Sequence, residues 1–288
     1  MKHKIFMTIL CLLPKKLAHK ILYKKKMGKR LNLKEPQDFN EKIQYLIVNK
    51  YGKKEAKLAD KNLVKKYVKQ LNINNLLIPK TYNIYINANE INIDELPEKF
   101  VLKCNNGSGD VFICNSKDEF CEHFEDIKKI LNKNVSSDFS KVCLEYHYSY
   151  IEPCIIAEEY LNDKLHKNPL DYKFYCFNGK VKSILVCSNR EKKLKLDDFD
   201  LEWNNLDYTY DKYKSNEKIE KPKKLQEMIN IAEQLSKDMP FVRVDLYEIN
   251  EKIYFGEYTF SPAGGLIYYY KEDALNKLGK LIDLNNYN

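Results

Sequence analysis

Two carboxylates, Asp245 and Glu257, fall in FVRVDLYEINEKIYFGEYTFSPAGG, residues 241 to 265, where apolar and polar residues alternate on both sides of EINEK. The alternation reads as two strands joined by a short turn. Arg243 and Asp245 share one face of the first strand, with Val242, Val244 and Leu246 on the other. Glu257 and Thr259 share a face of the second. A hairpin centred on Glu251 sets Asp245 opposite Glu257, and directly opposed residues lie roughly 5 Å apart. Two carboxylates at that separation repel unless a proton or a cation joins them. Their hard oxygens suit Mg²⁺, which takes one or two carboxylates and fills its other positions with water and phosphate oxygens. The plain alternative is a surface ribbon with its charges in water. The apolar back face and the small-residue turn SPAGG weigh against it.

Other stretches could meet the phosphates that such an ion accompanies. In FVLKCNNGSGDVFIC, residues 100 to 114, a strand carrying Lys103 runs into a loop and a second strand. Gly107 and Gly109 free that loop's backbone to turn N–H groups toward an anion, with Ser108 as a further donor. It matches neither a P-loop nor a Rossmann turn, and an ordinary hairpin turn stays open as a reading. In EPCIIAEEYLND, residues 152 to 163, an apolar strand ends in Glu158 and Glu159, then Tyr160 and Leu161. That suits a hinge whose backbone bonds a purine while an acid bonds ribose, although a strand end with solvated acids has the same look. LDYKFYCFNGKVKSILVCSNR, residues 170 to 190, reads as a hairpin turning at Asn178-Gly179. Asp171, Lys173 and Arg190 project polar heads from it, and the two cations would neutralise charge that builds up in phosphoryl transfer. Asp60-Lys61 lies in an amphipathic helix over 55 to 70, where a solvated pair is the common reading. His147 offers a base or a packed ring. No Ser–His or Cys–His nucleophile arrangement stands out.

Around these stretches, residues 1 to 50 read as mostly helical, with Asp38 or Asn40 as a cap. LLIPKTYNIY reads as extended, 193 to 224 as a polar excursion from the fold, and 223 to 237 as a helix leading into the hairpin. At 288 residues with 44% hydrophobic and 31% charged content, the chain is a soluble globular protein of two lobes or one large domain. The net charge of +8 is concentrated early, in KHK, KK, HK and KKKMGKR. A basic arm of this kind meets anionic lipid or polymer, or is simply a solvated helix face. No nucleic-acid motif accompanies it, and none of that class of partner is expected. IFMTILCLLP is too short to span a bilayer and reads as an amphipathic helix, either on a membrane surface or buried. The eight cysteines show no C-x-x-C and no metal-finger spacing, which favours a reducing, cytoplasmic setting.

Taken in order, ADK, LPEKFVLKCNNGSGD, EEYL, DYKFYCFNGK, RVDLY and FGEYTFSPAGG resemble the TupA-like ATP-grasp family over roughly residues 35 to 285. The resemblance implies an α+β fold whose two lobes clamp ATP behind a short helical N-terminal region. The divisions expected are 1–50, 51–98, a small lobe at 99–162 with the glycine loop, and a large lobe at 163–288 with the metal hairpin. It implies that Lys61 and Lys103 contact phosphates and that Gly107, Ser108 and Gly109 form the flap over the triphosphate. Glu158 to Leu161 become the adenine hinge, with Glu159 or Asp163 on ribose and Asp171 also at the nucleotide. Asp245 and Glu257 become the Mg²⁺ acids, with Arg243, Lys173 and Arg190 steadying transferred charge. Thr259 stands where such proteins usually carry a metal-binding Asn. The N-terminal region is also short for the domain that usually helps hold the carboxylate. The activity implied is an ATP- and Mg²⁺-dependent carboxylate–amine ligation through an acyl phosphate, in capsule or cell-surface polysaccharide biosynthesis. Its partners would be a small or polysaccharide-linked carboxylate and an amine, with the basic N-terminus touching the inner membrane face. A glycosyltransferase and a catalytically weak ATP-binding homologue are the alternatives.

Overall fold

The structure is a computed structural model that describes residues 2–107, 111–162, 170–188, 194–215 and 217–287. The chain opens with helices α1 (Lys2–Cys11), α2 (Lys15–Met27), α3 (Phe39–Asn49), α4 (Lys53–Ala59) and α5 (Leu63–Gln70). Asp38 rather than Asn40 caps α3, its side chain accepting the Glu41 amide at 2.9 Å. The single helix expected over 55 to 70 is two. Asp60 is buried and accepts the amides of Asn62 and Leu63 at 2.8 and 3.1 Å, so the chain stops and restarts there.

Strands β1 (Leu76–Leu77), β2 (Thr81–Tyr85), β3 (Phe100–Cys104) and β4 (Val111–Cys114) precede helices α6 (Lys117–Val135) and α7 (Phe139–Cys143). Then come β5 (Ile155–Glu159), β6 (Asp171–Phe177), β7 (Lys180–Ser188), β8 (Lys195–Phe199), α8 (Leu225–Leu235), β9 (Phe241–Ile249), β10 (Lys252–Thr259) and α9 (Glu272–Lys280). The strands form two sheets. One has four strands in the order β2-β5-β3-β4, and the other six in the order β1-β10-β9-β6-β7-β8. Neighbours are antiparallel except β1 against β10.

Residues 195 to 199 correct the reading of a polar excursion, because β8 is an integral edge strand paired with β7. The acids of KLDDF hid it, breaking the usual alternation. Asp198 is buried and held by the hydroxyls of Thr209, at 2.7 Å, and Tyr270.

Each face of the large sheet has its own cover. Val242, Val244 and Leu246 belong to the apolar core that includes Met228, Ile231 and Ala232 of α8. The Tyr258 hydroxyl ties β10 to the Leu235 carbonyl at 2.8 Å. On the other face, the Phe39 ring of α3 meets Tyr175, Phe177 and Phe241 at centroid distances of 5.9, 6.4 and 5.1 Å. This helix also pins the turn after β10. Asn40 Nδ2 donates to the Ile267 carbonyl and Asn40 Oδ1 accepts the Ile267 amide, both at 3.0 Å. Gln44 donates to the Gly264 carbonyl at 2.5 Å.

Candidate active site

The β9–β10 hairpin positions the acids in a way that periodicity alone does not reveal. Its turn is Asn250-Glu251, both at positive φ (50° and 63°), and this two-residue turn pairs Lys252 with Ile249 and Phe255 with Leu246. Continued unbroken, that register would put Gly256 against Asp245. Instead a bulge at Gly256 advances the strand by one residue, so Glu257 pairs with Asp245 and Thr259 with Arg243. A β-carbon at Gly256 would lie 2.9 Å from both the Asp245 carbonyl oxygen and Tyr247 Cε2. Only glycine fits there without something moving.

The register carries on across the sheet, Asp245 pairing with Lys173 of β6. The result is a row of alternating charge. Arg243 donates to both oxygens of Asp245 at 2.7 Å and to Glu257 at 3.2 Å. Lys173 contacts Asp245 and lies 2.7 Å from Asp171. Thr259 donates to Glu257 at 3.2 Å. Burial and the neighbouring Arg243 work against charge on Lys173, but Asp171 and Asp245 prevail and raise its pKa. Arg243, disfavoured by burial, is likewise held charged by Asp245 and Glu257. Burial opposes ionisation of Glu257, yet Lys61, Arg243, Lys173 and Lys103 together pull its pKa down to about 2. The Glu257 side chain is a third open (33%), whereas Asp245 is enclosed at 2%.

The small sheet supplies the opposing wall. Lys103 of β3 and Lys65 of α5 both ion-pair with Glu158 of β5, Lys65 at 2.8 Å. Burial raises the Glu158 pKa less than the two lysines lower it, so the acid stays ionised. Lys65 also donates to the Thr81 hydroxyl at 2.7 Å and the Pro79 carbonyl at 3.1 Å. Lys61 crosses between the walls, donating to the Gly107 carbonyl and lying 3.7 Å from Glu257. What aims it is a buried polar joint in which Asn105 Nδ2 donates to Asp60 at 3.0 Å and the Asn105 carbonyl accepts the Lys61 amide at 3.3 Å.

A cavity of about 490 Å³ lies between the sheets. Of the residues singled out in the sequence, Lys61, Lys103, Gly107, Glu158, Glu159, Tyr160, Leu161, Asp171, Lys173, Asp245 and Glu257 line it. Arg243 and Thr259 stand behind the acids and act on them by hydrogen bond. Ser108, Gly109, Asp163 and Arg190 lie outside the described residues. The Glu159 carboxylate is spent on the Lys80 amide at 3.0 Å. His147 is buried against the rings of Tyr51 and Tyr148, at 5.6 and 4.5 Å, and burial lowers its pKa to about 4. It packs neutral and does not line the cavity.

Lys65 was missed, although it follows Lys61 by four residues, the spacing of one helix face. Also missed were the apolar contributors Val101, Phe139, Val142 and Phe255, which look like ordinary core in sequence. The lining thus combines these apolar side chains with four lysines (Lys61, Lys65, Lys103 and Lys173) and five carboxylates (Glu158, Glu159, Asp171, Asp245 and Glu257). That combination accommodates both a flat ring and a polyanion with a hard cation.

Solved structures similar to this chain include D-alanine–D-alanine ligase from Bacillus anthracis complexed with ATP, at 19% identity and a TM-score of 0.47. The match covers 78% of this chain and 65% of that one. The ATP-grasp ligase PsnB, complexed with minimal precursor, Mg and ADP, is 11% identical with a TM-score of 0.38, over 77% of this chain and 53% of that one. N5-carboxyaminoimidazole synthase from Aspergillus clavatus is 12% identical with a TM-score of 0.42, over 72% of this chain and 46% of that one. The chain thus spans less than two thirds of the length of these three proteins. No curated protein matches it. The family described as TupA-like ATPgrasp matches residues 41–283, from α3 to beyond α9, a span that takes in both sheets and the cavity between them. By that match the chain belongs to the TupA-like ATP-grasp family.

Proposed function

We propose that the chain is an ATP- and Mg²⁺-dependent ligase that joins a carboxylate to an amine through an acyl phosphate. The observation that carries this reading is the convergence on one cavity of Lys61 from the break between α4 and α5, Lys103 from the small sheet, and Asp245 and Glu257 from the large sheet. Among the described residues no group of three or more His, Cys, Asp and Glu could hold a metal. Mg²⁺ in nucleotide sites needs only one or two carboxylates, because phosphate oxygens complete its shell, so the Asp245–Glu257 pair suffices. Glu257, ionised and partly open, would be the readier ligand. Asp245 would join once Arg243 and Lys173 yield part of their hold on it. When bound, Mg²⁺ supplies charge neutralisation at the transferred phosphoryl group.

The chain's own groups do the rest. Lys61 and Lys103 would bind phosphate oxygens, Lys61 drawing in the glycine loop through Gly107. Glu158 would hold Lys65 and Lys103 in place through its two ion pairs. Val101, Leu161 and Phe255 would sandwich the base, with the Glu158–Leu161 backbone at its edge. The substrate carboxylate oxygen would attack the γ-phosphorus and ADP would leave. The amine nitrogen would then attack the acyl carbon as phosphate departs. Lys173, charged on the cavity wall, would stabilise the oxyanion of that second step, with Arg243 acting from behind through the acids it holds, and Arg190 is assigned the same duty as Lys173. Neither step needs a nucleophilic side chain. The carboxylate or the amine would be linked to cell-surface polysaccharide, and the protein would work on the cytoplasmic side, where ATP is supplied.

The glycosyltransferase reading requires an acid pair free to hold a nucleotide-sugar metal. Asp197 accepts the Ser215 amide at 3.2 Å, Asp198 serves Thr209 and Tyr270, and Asp200 accepts the Asn204 amide at 2.7 Å. All three acids support structure, so the ligase reading is preferred. The test is ADP release with a panel of acids and amines, with hydroxylamine added to trap the acyl phosphate. Turnover that needs a nucleotide sugar and no ATP would overturn the proposal, and ATP binding without turnover would leave a binding homologue.

A further inference from the structure

The positive excess of this chain has one address. Eleven of its 49 basic residues, and none of its 41 acidic ones, occur in residues 1 to 34, so the remainder carries 38 basic against 41 acidic residues. Those 34 residues build the α1–α2 hairpin and the loop after it.

The hairpin is apolar on two sides. Met7 and Leu10 of α1 pack inward against Ala18 and Leu22 of α2 and against Leu144. The opposite stripe, spaced by three to four residues, is left uncovered: Ile5 is 55% exposed, Ile9 53% and Leu12 81%. Leu17, at the start of α2, is also exposed. Lys15, Lys16, Lys20, Lys24, Lys25 and Lys26 are exposed on the same hairpin. Among the described residues no helix is long and apolar enough to cross a membrane. An uncovered apolar stripe on a hairpin that also carries six exposed lysines, with no acid along the whole segment, has the chemistry of a helix lying in a lipid interface.

We infer that the α1–α2 hairpin docks on an anionic bilayer surface, with Ile5, Ile9 and Leu12 entering the acyl boundary and the lysines meeting lipid phosphates. Charge complementarity selects this occupant over a second copy of the chain, since two such hairpins would bring like charges together. The docked hairpin adjoins the cavity wall. Cys11 donates to the Lys141 carbonyl at 3.3 Å, and Lys141 belongs to α7, whose Phe139 and Val142 line the cavity. A lipid-anchored acceptor would therefore be presented on the side where the site is walled by α7. The docking itself does not depend on the ligase reading.

The full chain is sedimented with vesicles of phosphatidylcholine, with and without phosphatidylglycerol. Binding should need the anionic lipid and fall as salt is raised. Replacing Lys15 and Lys16 by Gln removes two charges from the docking face and should weaken binding roughly thirtyfold. Leu12→Asp should abolish it, and circular dichroism should show both variants folded, since each position is exposed. Equal binding to both vesicles, or none to either, overturns the inference. So does a dimer in sedimentation equilibrium that Leu12→Asp disperses, or tight binding to RNA that Leu12→Asp leaves unchanged.

Discussion

The most revealing perturbation is a single methyl group at residue 256. The Asn250-Glu251 turn fixes the pairing as far as Phe255 with Leu246, and only the extra residue at 256 brings Glu257 opposite Asp245. Without the bulge, Glu257 would pair with Val244, whose side chain points into the apolar core. In Gly256→Ala the new carbon starts 2.9 Å from the Asp245 carbonyl oxygen and 2.9 Å from Tyr247 Cε2. Ordinary contact needs at least half an ångström more, and the carbonyl belongs to strand backbone that cannot swing aside. Relief requires β10 to move away or the bulge to slip, and both take the Glu257 carboxylate from its partners. Overpacking of this kind costs about 1–3 kcal/mol. Misplacing a catalytic group by about 1 Å costs on the order of 10²-fold in rate. The assays are urea denaturation and Mg²⁺-dependent ATP turnover. Gly107→Ala is the stability control, because a carbon there would meet the Phe139 ring at an unstrained 3.5 Å. A Gly256→Ala protein with the wild-type denaturation midpoint and wild-type turnover would show that the bulge does not set the position of Glu257.

Three further outcomes are expected. Glu158→Gln leaves Lys65 and Lys103 without their shared anion, and should cost about 2–3 kcal/mol in urea denaturation and raise the KM for ATP. Asp60→Ala removes the acceptor for the Asn62 and Leu63 amides and for Asn105. It should cost about 1–2 kcal/mol as a lost cap and weaken nucleotide binding through the displaced Lys61. Burial raises the Asp198 carboxyl to about 7, against the hydroxyls of Tyr270 and Thr209 that lower it. A raised folded-state value means its stabilising contribution is complete below the unfolded value of 3.8 and is lost as pH rises through about 7. Asp198→Asn should flatten that decline, read as denaturation midpoints at several pH values across the window. A wild-type protein with no such decline would contradict the assignment.

Much of this arrangement was legible where chemistry and period coincide. Alternation in RVDLY and FGEYT put the charged residues on one face and valines on the other, and NG marked the β6–β7 turn. The facing of Asp245 and Glu257 was anticipated from a turn centred on Glu251, whereas the pairing comes from an earlier turn corrected by the Gly256 bulge. Bulges leave no periodic signal, and the glycine explains itself only once the Asp245 carbonyl is seen beside it. The break at Asp60 was hidden because amphipathic period runs through both α4 and α5, while the cap that separates them is a local hydrogen bond. Sheet order was out of reach. That β9 sits between β6 and β10 depends on contacts seventy residues apart, and so does the meeting of Lys173 with Asp245. Lys65 went unnoticed because its value lies in Glu158, ninety-three residues away.

On the proposed reading the carboxylate of Glu257 would hold Mg²⁺ against a triphosphate gripped by Lys61 and Lys103. Calorimetric titration of ATP into the wild-type chain and into Glu257→Gln, each with and without Mg²⁺, tests it most directly. Mg²⁺ should tighten ATP binding to the wild type, and the variant should lose this enhancement while still binding ATP. An equal enhancement in both proteins would contradict it.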